Sequence, residues 1–218
     1  RALAGIASAV IILIVFILSQ NTPVLSTRLP PGQEKMIDFI KERGPFSGRL
    51  LLECGEYDAP NVNEIVPALT GQPLLGDGNP GNILKTRSTL FMGSYYLPGG
   101  ALLENNPLAF GKSLAKLNES DLKNYFNLYN VGAVAAYSSR SIELLNGFPG
   151  LLSPIEKAGD YQFYRVKIEP TWFLNGAGTV SMDYDQIVVT DPSPGALVLK
   201  FHWIKTLAVN SPLTLYPV

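Results

Sequence analysis

One cysteine and one histidine are all that 218 residues hold. The lone thiol, Cys54, forbids an internal disulfide, so the fold has to rest on its own core. Inside Leu50-Leu51-Leu52-Glu53-Cys54 it reads as a small packed residue rather than a nucleophile. A single His and a single Cys cannot supply a usual zinc set, so no metal site is expected. A Ser-His-Asp triad would have only His202 to draw on, and no Gly-x-Ser-x-Gly turn accompanies it. Charge is scarce as well. Charged residues make up 16% of the chain, below the usual share of about a quarter, and 17 basic against 18 acidic residues leave no net field. That balance, with no basic run, excludes nucleic acid as a partner and gives no attraction to anionic lipid. The glycine-rich Gly76-Asp77-Gly78-Asn79-Pro80-Gly81 is no Walker loop, because it lacks the Lys-Ser/Thr ending and puts Pro80 where a helix would start. Nor is it a calcium loop, since the spaced acids and the closing Glu are missing.

What the chain does have is one long apolar run. Ala2–Ser19 holds 18 residues with no charge, and as a helix it would reach roughly 27 Å, close to the thickness of a bilayer's hydrocarbon core. A helix apolar on every face needs lipid around it, so a transmembrane helix is expected over residues 1–19. The residues that follow, Gln20-Asn21-Thr22-Pro23, form no signal-peptide cleavage site. Arg1 in place of Met marks the chain as an expected fragment, and its charge favours an inside N-terminus.

Residues 20–32, with Pro23, Pro30 and Pro31, read as an extended linker. Gln33–Arg43 has a helical period, with Met36, Ile37 and Ile40 on one face, and Gly44-Pro45 ends it. Arg49–Cys54 is a short apolar run between Gly48 and Gly55, the mark of a buried strand. Val62–Leu69 predicts a short helix, and Ile83–Asn106 an irregular loop. Asn118 caps a helix whose Leu122, Tyr125, Phe126 and Tyr129 share a face. The Asn118-Glu119-Ser120 triplet also fits the N-glycosylation pattern. Val131–Tyr137, Ser138–Asn146 and Gln162–Ile168 then read as strand, helix and strand. After Pro170 the helical period stops, and Gly178–Tyr184, Gln186–Thr190 and Ala196–Trp203 read as short strands. The expected fold is α/β (α+β): a transmembrane helix, a small helix-flanked sheet over 33–169, and an antiparallel β-unit over 170–218.

Glu53, Glu56 and Asp58 follow the first central strand. Ligands of α/β sheets bind beyond the carboxyl ends of strands, so this cluster would hydrogen-bond a sugar or act as an acid/base pair. The competing reading is an ordinary solvated loop. Asp77 and Asn79 in the glycine-rich turn complete the candidate set with His202, which strand alternation sets opposite Phe201 and Trp203.

Several blocks carry a resemblance. Gly48-Arg49-Leu50-Leu51-Leu52-Glu53, Leu69-Thr70-Gly71-Gln72 and Tyr125-Phe126-Asn127-Leu128-Tyr129-Asn130-Val131 are joined by Trp172-Phe173-Leu174-Asn175-Gly176-Ala177-Gly178 and Ala196-Leu197-Val198-Leu199-Lys200-Phe201-His202-Trp203. Together they resemble the C-terminal extracytoplasmic region of bacterial polytopic GT-C-type glycosyltransferase-like membrane proteins, over most of Met36–Val218. Gln72 stands where that family has a basic residue, and Asp77 and Asn79 alter its glycine-rich turn. The resemblance implies sugar transfer from a polyprenyl-phosphate-type donor, with the catalytic acid in an early extracytoplasmic loop and hence no catalytic residue in this stretch. It implies no cofactor here, although a divalent metal would serve the lipid-phosphate donor in the parent. The implied partners are the bilayer, upstream membrane helices and a lipid-linked sugar or glycan acceptor. The rivals are a membrane-anchored binding or structural module, and a hydrolase using Glu53 and Asp58.

Overall fold

The computed structural model describes residues 29–54, 62–75, 102–103, 108–109, 112–182, 186–201, 208–209 and 214–216. The Ala2–Ser19 run lies outside them. Among the described residues no helix is long and apolar enough to cross a membrane.

The chain lays down α1 (Pro31–Arg43), β1 (Arg49–Cys54), α2 (Val62–Thr70), β2 (Leu74–Leu75), β3 (Leu102–Leu103), β4 (Leu108–Ala109) and β5 (Lys112–Ser113). It continues with α3 (Glu119–Leu128), β6 (Val131–Ala136), α4 (Ser139–Asn146), β7 (Leu152–Ala158), β8 (Tyr161–Val166), β9 (Phe173–Asn175), β10 (Thr179–Met182), β11 (Ile187–Thr190) and β12 (Val198–Leu199). The first helix begins two residues before the expected Gln33. Pro31 takes its first turn, where a proline's missing N–H costs nothing.

The main sheet runs β2-β1-β6-β8-β7, with β3 also paired to β1. Strands β2, β3 and β6 lie parallel to β1, while β8 is antiparallel to β6 and β7 to β8. Alternation in β1 divides the core into two. Leu50 and Leu52 join Met36, Ile37, Ile40 and Val66 on the face covered by α1 and α2. Leu51 joins Leu122, Phe126 and Leu145 on the face covered by α3 and α4. The sheet is therefore sandwiched, and β6 is buried at every position. Arg49 faces Val131 but Leu50 faces Ala133, so Gly132 is the extra residue of a bulge. A Cβ there would collide with the Ser47 carbonyl, which is why a glycine occupies it.

Two expectations change. Leu152–Ala158, unassigned in the sequence, is a strand at the sheet's edge. Pro154, Glu156 and Lys157 hide its alternation, yet proline and charge are what an edge strand tolerates. In the tail, four short strands form two antiparallel pairs, β9 with β12 and β10 with β11. Phe173–Asn175 is a strand that the sequence pattern does not mark, and of the expected Ala196–Trp203 strand Val198–Leu199 is paired while His202 and Trp203 lie outside the described residues. The expected irregular loop over Ile83–Asn106 lies outside the described residues except for Leu102–Leu103, which pair with Glu53 and Cys54.

Candidate functional site

Parallel strands β1 and β6 end on the same edge, and there the chain turns outward in opposite senses. From β1 it runs into α2 on one face; from β6 it runs into α4 on the other. This is the topological switch point at which open α/β sheets bind ligands.

Glu53 occupies it. Alternation puts its side chain on the Leu51 face, next to the start of α4, and it has no exposed surface. Oε2 accepts from the backbone N–H of Tyr137 at 2.7 Å and of Ser138 at 2.9 Å. Oε1 accepts from the hydroxyls of Ser138 and Ser141, each at 2.5 Å. Ser138 is the N-cap of α4, its Oγ also accepting from the Ser141 N–H at 3.2 Å. The first N–H groups of a helix have no partner within it, and the helix dipole favours an anion there. Glu53 supplies that anion from within the chain.

This differs from both readings of Glu53 in the sequence. A buried carboxylate with four donors is no solvated loop residue, and its oxygens are committed to the protein rather than presented to a sugar. It ties the end of β1 to the start of α4. Glu56, Asp58, Asp77, Asn79 and His202 lie outside the described residues. Strands β1 and β2 are parallel neighbours, Leu51 beside Leu75, so the segments carrying Glu56 and Asp58 and those carrying Asp77 and Asn79 start from one edge. Among the described residues no group of three His, Cys, Asp or Glu gathers to hold a metal.

The opposite edge holds what sequence reasoning passed over. Arg49, the first residue of β1, is among the largest fully buried side chains. Its Nη1 donates to the Tyr129 carbonyl at 2.7 Å and Nη2 to the Lys200 carbonyl at 2.9 Å. The guanidinium lies 4.8 Å from the Trp172 ring centre and 5.4 Å from that of Phe201, and those two rings stack at 5.0 Å. Burial pushes the Arg49 guanidinium down to about 9. One side chain thus joins β1, the end of α3 and the tail. The available signal was a charge opening a leucine run, with aromatic blocks far downstream.

Gln72, also buried, accepts from the Phe46 N–H at 2.5 Å and donates to the Gly48 and Pro73 carbonyls at 3.1 and 3.0 Å. The amide clamps the turn before β1 to the turn before β2. Asn118 caps α3 as expected, its Oδ1 accepting from Asp121 N–H at 2.8 Å.

Lys200 is buried beside Arg49 and donates from Nζ to Asn127 Oδ1 at 3.1 Å. Burial, and then the Arg49 charge, lower its ammonium below the ordinary 10.5. Between that lowered value and 10.5, the unfolded chain binds more protons than the folded one, so stability rises with pH across the window. Below the window both states are charged and the folded state carries the full penalty. Wild type should therefore gain on Lys200→Met as pH is raised from neutrality through that window. Urea unfolding at a series of pH values reads this difference, and a constant gap between the two proteins contradicts it.

Comparison with known proteins finds no matching family model, no similar curated protein and no similar solved structure.

Proposed function

We propose that this chain is the membrane-anchored, extracytoplasmic part of a GT-C-like glycosyltransferase, a domain that helps hold a polyprenyl-phosphate-linked sugar or its acceptor while upstream segments do the chemistry. The observation that carries the reading is the locked carboxyl edge. Glu53 takes four hydrogen bonds at the switch point, so the segments after β1 and β2 leave a fixed platform, as a binding site on an open α/β sheet requires. The blocks that resemble the family and the Ala2–Ser19 run supply the rest. Because Glu53 is engaged within the fold, ligand contact falls to Glu56, Asp58, Asp77 and Asn79. The described residues gather no metal-ligand set, and no step is assigned to a metal.

The test uses the full-length parent in membranes. Glu56→Gln with Asp58→Asn should lower transfer of labelled sugar from a polyprenyl-phosphate donor about tenfold at unchanged expression, the effect of one or two lost hydrogen bonds to a ligand. Unchanged transfer removes these residues from binding. A second reading, an anchored module with no enzyme in the chain, draws on the same commitment of Glu53 to structure, and a parent without any transfer activity would select it.

A further inference from the structure

The molecule guards its strand edges unevenly. Strand β7, at one end of the main sheet, carries Pro154, Glu156 and Lys157, which blunt an edge against further pairing. The β10–β11 hairpin has no such guard. Thr179-Val180-Ser181-Met182 and Ile187-Val188-Val189-Thr190 hold neither proline nor charge, and among the described residues no third strand pairs with them. The cross-strand pairs Val180–Val189 and Met182–Ile187 make one face, half-buried. The other face is Thr179, Ser181 and Thr190, all exposed, together with Val188, which is 40% exposed. A lone hairpin is marginally stable, and further strands that extend its apolar face stabilise it.

Strand β11 is complementary to itself. In an antiparallel pair, residues directly opposite one another point to the same face. Two-fold pairing of β11 with its own copy therefore sets one residue against itself on the axis. With Val188 there, Ile187 meets Val189 of the second copy on the apolar face, and Gln186 meets Thr190 beside the axis on the polar face. Asp191, at a φ of 50°, turns the chain away just beyond the paired stretch. Moving the axis to Val189 would set Ile187 against Asp191, and moving it to Ile187 would set Val188 against Gln186. Only the Val188 register matches apolar with apolar and polar with polar throughout.

We propose that β11 is an interaction edge whose partner is β11 of a second copy of this chain, paired antiparallel in the register centred on Val188. The two hairpins then form one four-stranded sheet, β10-β11-β11-β10, with Val180, Met182, Ile187 and Val189 of each copy on a shared apolar face. The valine left on the polar face is covered by its own counterpart. Dimerisation at this edge is independent of the apolar run and of the proposed transfer activity.

Disulfide trapping in the full-length protein reads the register. With Cys54 and any upstream cysteine replaced by alanine, Val188→Cys sets two thiols opposite each other, at a Cα separation of about 4.5–5.5 Å that a disulfide spans. Thr190→Cys, on the same exposed face, sets them about 14 Å apart. On oxidation Val188→Cys should run chiefly as a covalent dimer and Thr190→Cys as a monomer, while Gln186→Cys mixed with Thr190→Cys should give the mixed dimer. Equal trapping at 188 and 190, or none at 188, overturns the proposal, as does a cross-link from 188 to a different protein alone. Val188→Lys separates the interface from the fold. Two ammonium groups on the axis should weaken dimerisation about tenfold while the circular dichroism melt stays unchanged. Wild type that sediments as a monomer at every concentration, or a dimer indifferent to Val188→Lys, also overturns it.

Discussion

Glu53→Ala should cost the fold about 4 kcal/mol, since hydrogen bonds to a charged acceptor contribute about 1.5–3 kcal/mol each and four that share one group do not add in full. A domain of this size has only about 5–15 kcal/mol to lose. The damage falls unevenly. The Ser138 and Ser141 hydroxyls can turn to other acceptors, but the N–H groups of Tyr137 and Ser138 point at Oε2 from fixed backbone. Glu53→Gln separates the two halves. Its remaining carbonyl oxygen can keep both N–H groups, while its amide donates to the serine hydroxyls, which rotate to accept. The expected cost is about 1–2 kcal/mol, the loss of charge without the loss of partners. Glu53→Asp falls a methylene short and should approach the alanine variant. Urea unfolding followed by circular dichroism gives the order Glu, Gln, Asp, Ala. An alanine variant within 1 kcal/mol of wild type contradicts the anchoring role. The same series separates structure from binding. Loss of transfer by Glu53→Gln should follow its loss of stability and leave the KM for the donor alone, whereas Glu56→Gln with Asp58→Asn should raise KM in a protein as stable as wild type.

Glu53 also marks where sequence reasoning stops. Local signals served well. The Asn118 cap and the 122, 125, 126, 129 period give α3 to within a residue or two, and the leucine run between glycines gives β1 as observed. What the sequence could not supply is distance. The partners of Glu53 lie 84 to 88 residues downstream, so its burial is a consequence of β6 lying beside β1. The leucine alternation does say that Glu53 shares a face with Leu51; only the topology says that the face leads to a helix start. Strand β7 was hidden for a different reason. An edge strand is selected against further pairing, and Pro154, Glu156 and Lys157 erase the pattern by which a strand is recognised. The candidate residues Glu56, Asp58, Asp77 and Asn79 lie outside the described residues, on segments that follow the neighbouring parallel strands β1 and β2.

Arg49→Ala should release the tail while leaving the sheet folded. Two charge-assisted hydrogen bonds to carbonyls, at about 1.5–3 kcal/mol each, and desolvated contacts with two rings, at about 2 kcal/mol each, are set against the cost of burying a guanidinium, for a net loss on the order of 3 kcal/mol. Lysine is no substitute. One ammonium cannot reach the Tyr129 and Lys200 carbonyls together or lie flat against the Trp172–Phe201 stack, and Arg49→Lys should lose most of what alanine loses. Arg49→Met keeps the volume and removes the buried charge, so it should retain more stability than either. The order Arg, Met, Lys, Ala is the signature of a residue whose planar fork and bulk matter beyond its charge. It also predicts where the molecule opens. Strand β12 reaches β1 through the Lys200 carbonyl, and β9 follows Trp172 directly, so both strands of that pair are joined to the core at this point. In Arg49→Ala, amide exchange should rise over residues 172–201 while β1, β6 and β8 remain protected, and the tail should become the first segment cut by protease. Uniform exchange across sheet and tail would mean that the two unfold as one unit and that Arg49 does not join separable parts. Selective opening would leave the Glu53 platform at the other edge intact, because the four hydrogen bonds of that carboxylate run to Tyr137, Ser138 and Ser141, on the sheet and its helix.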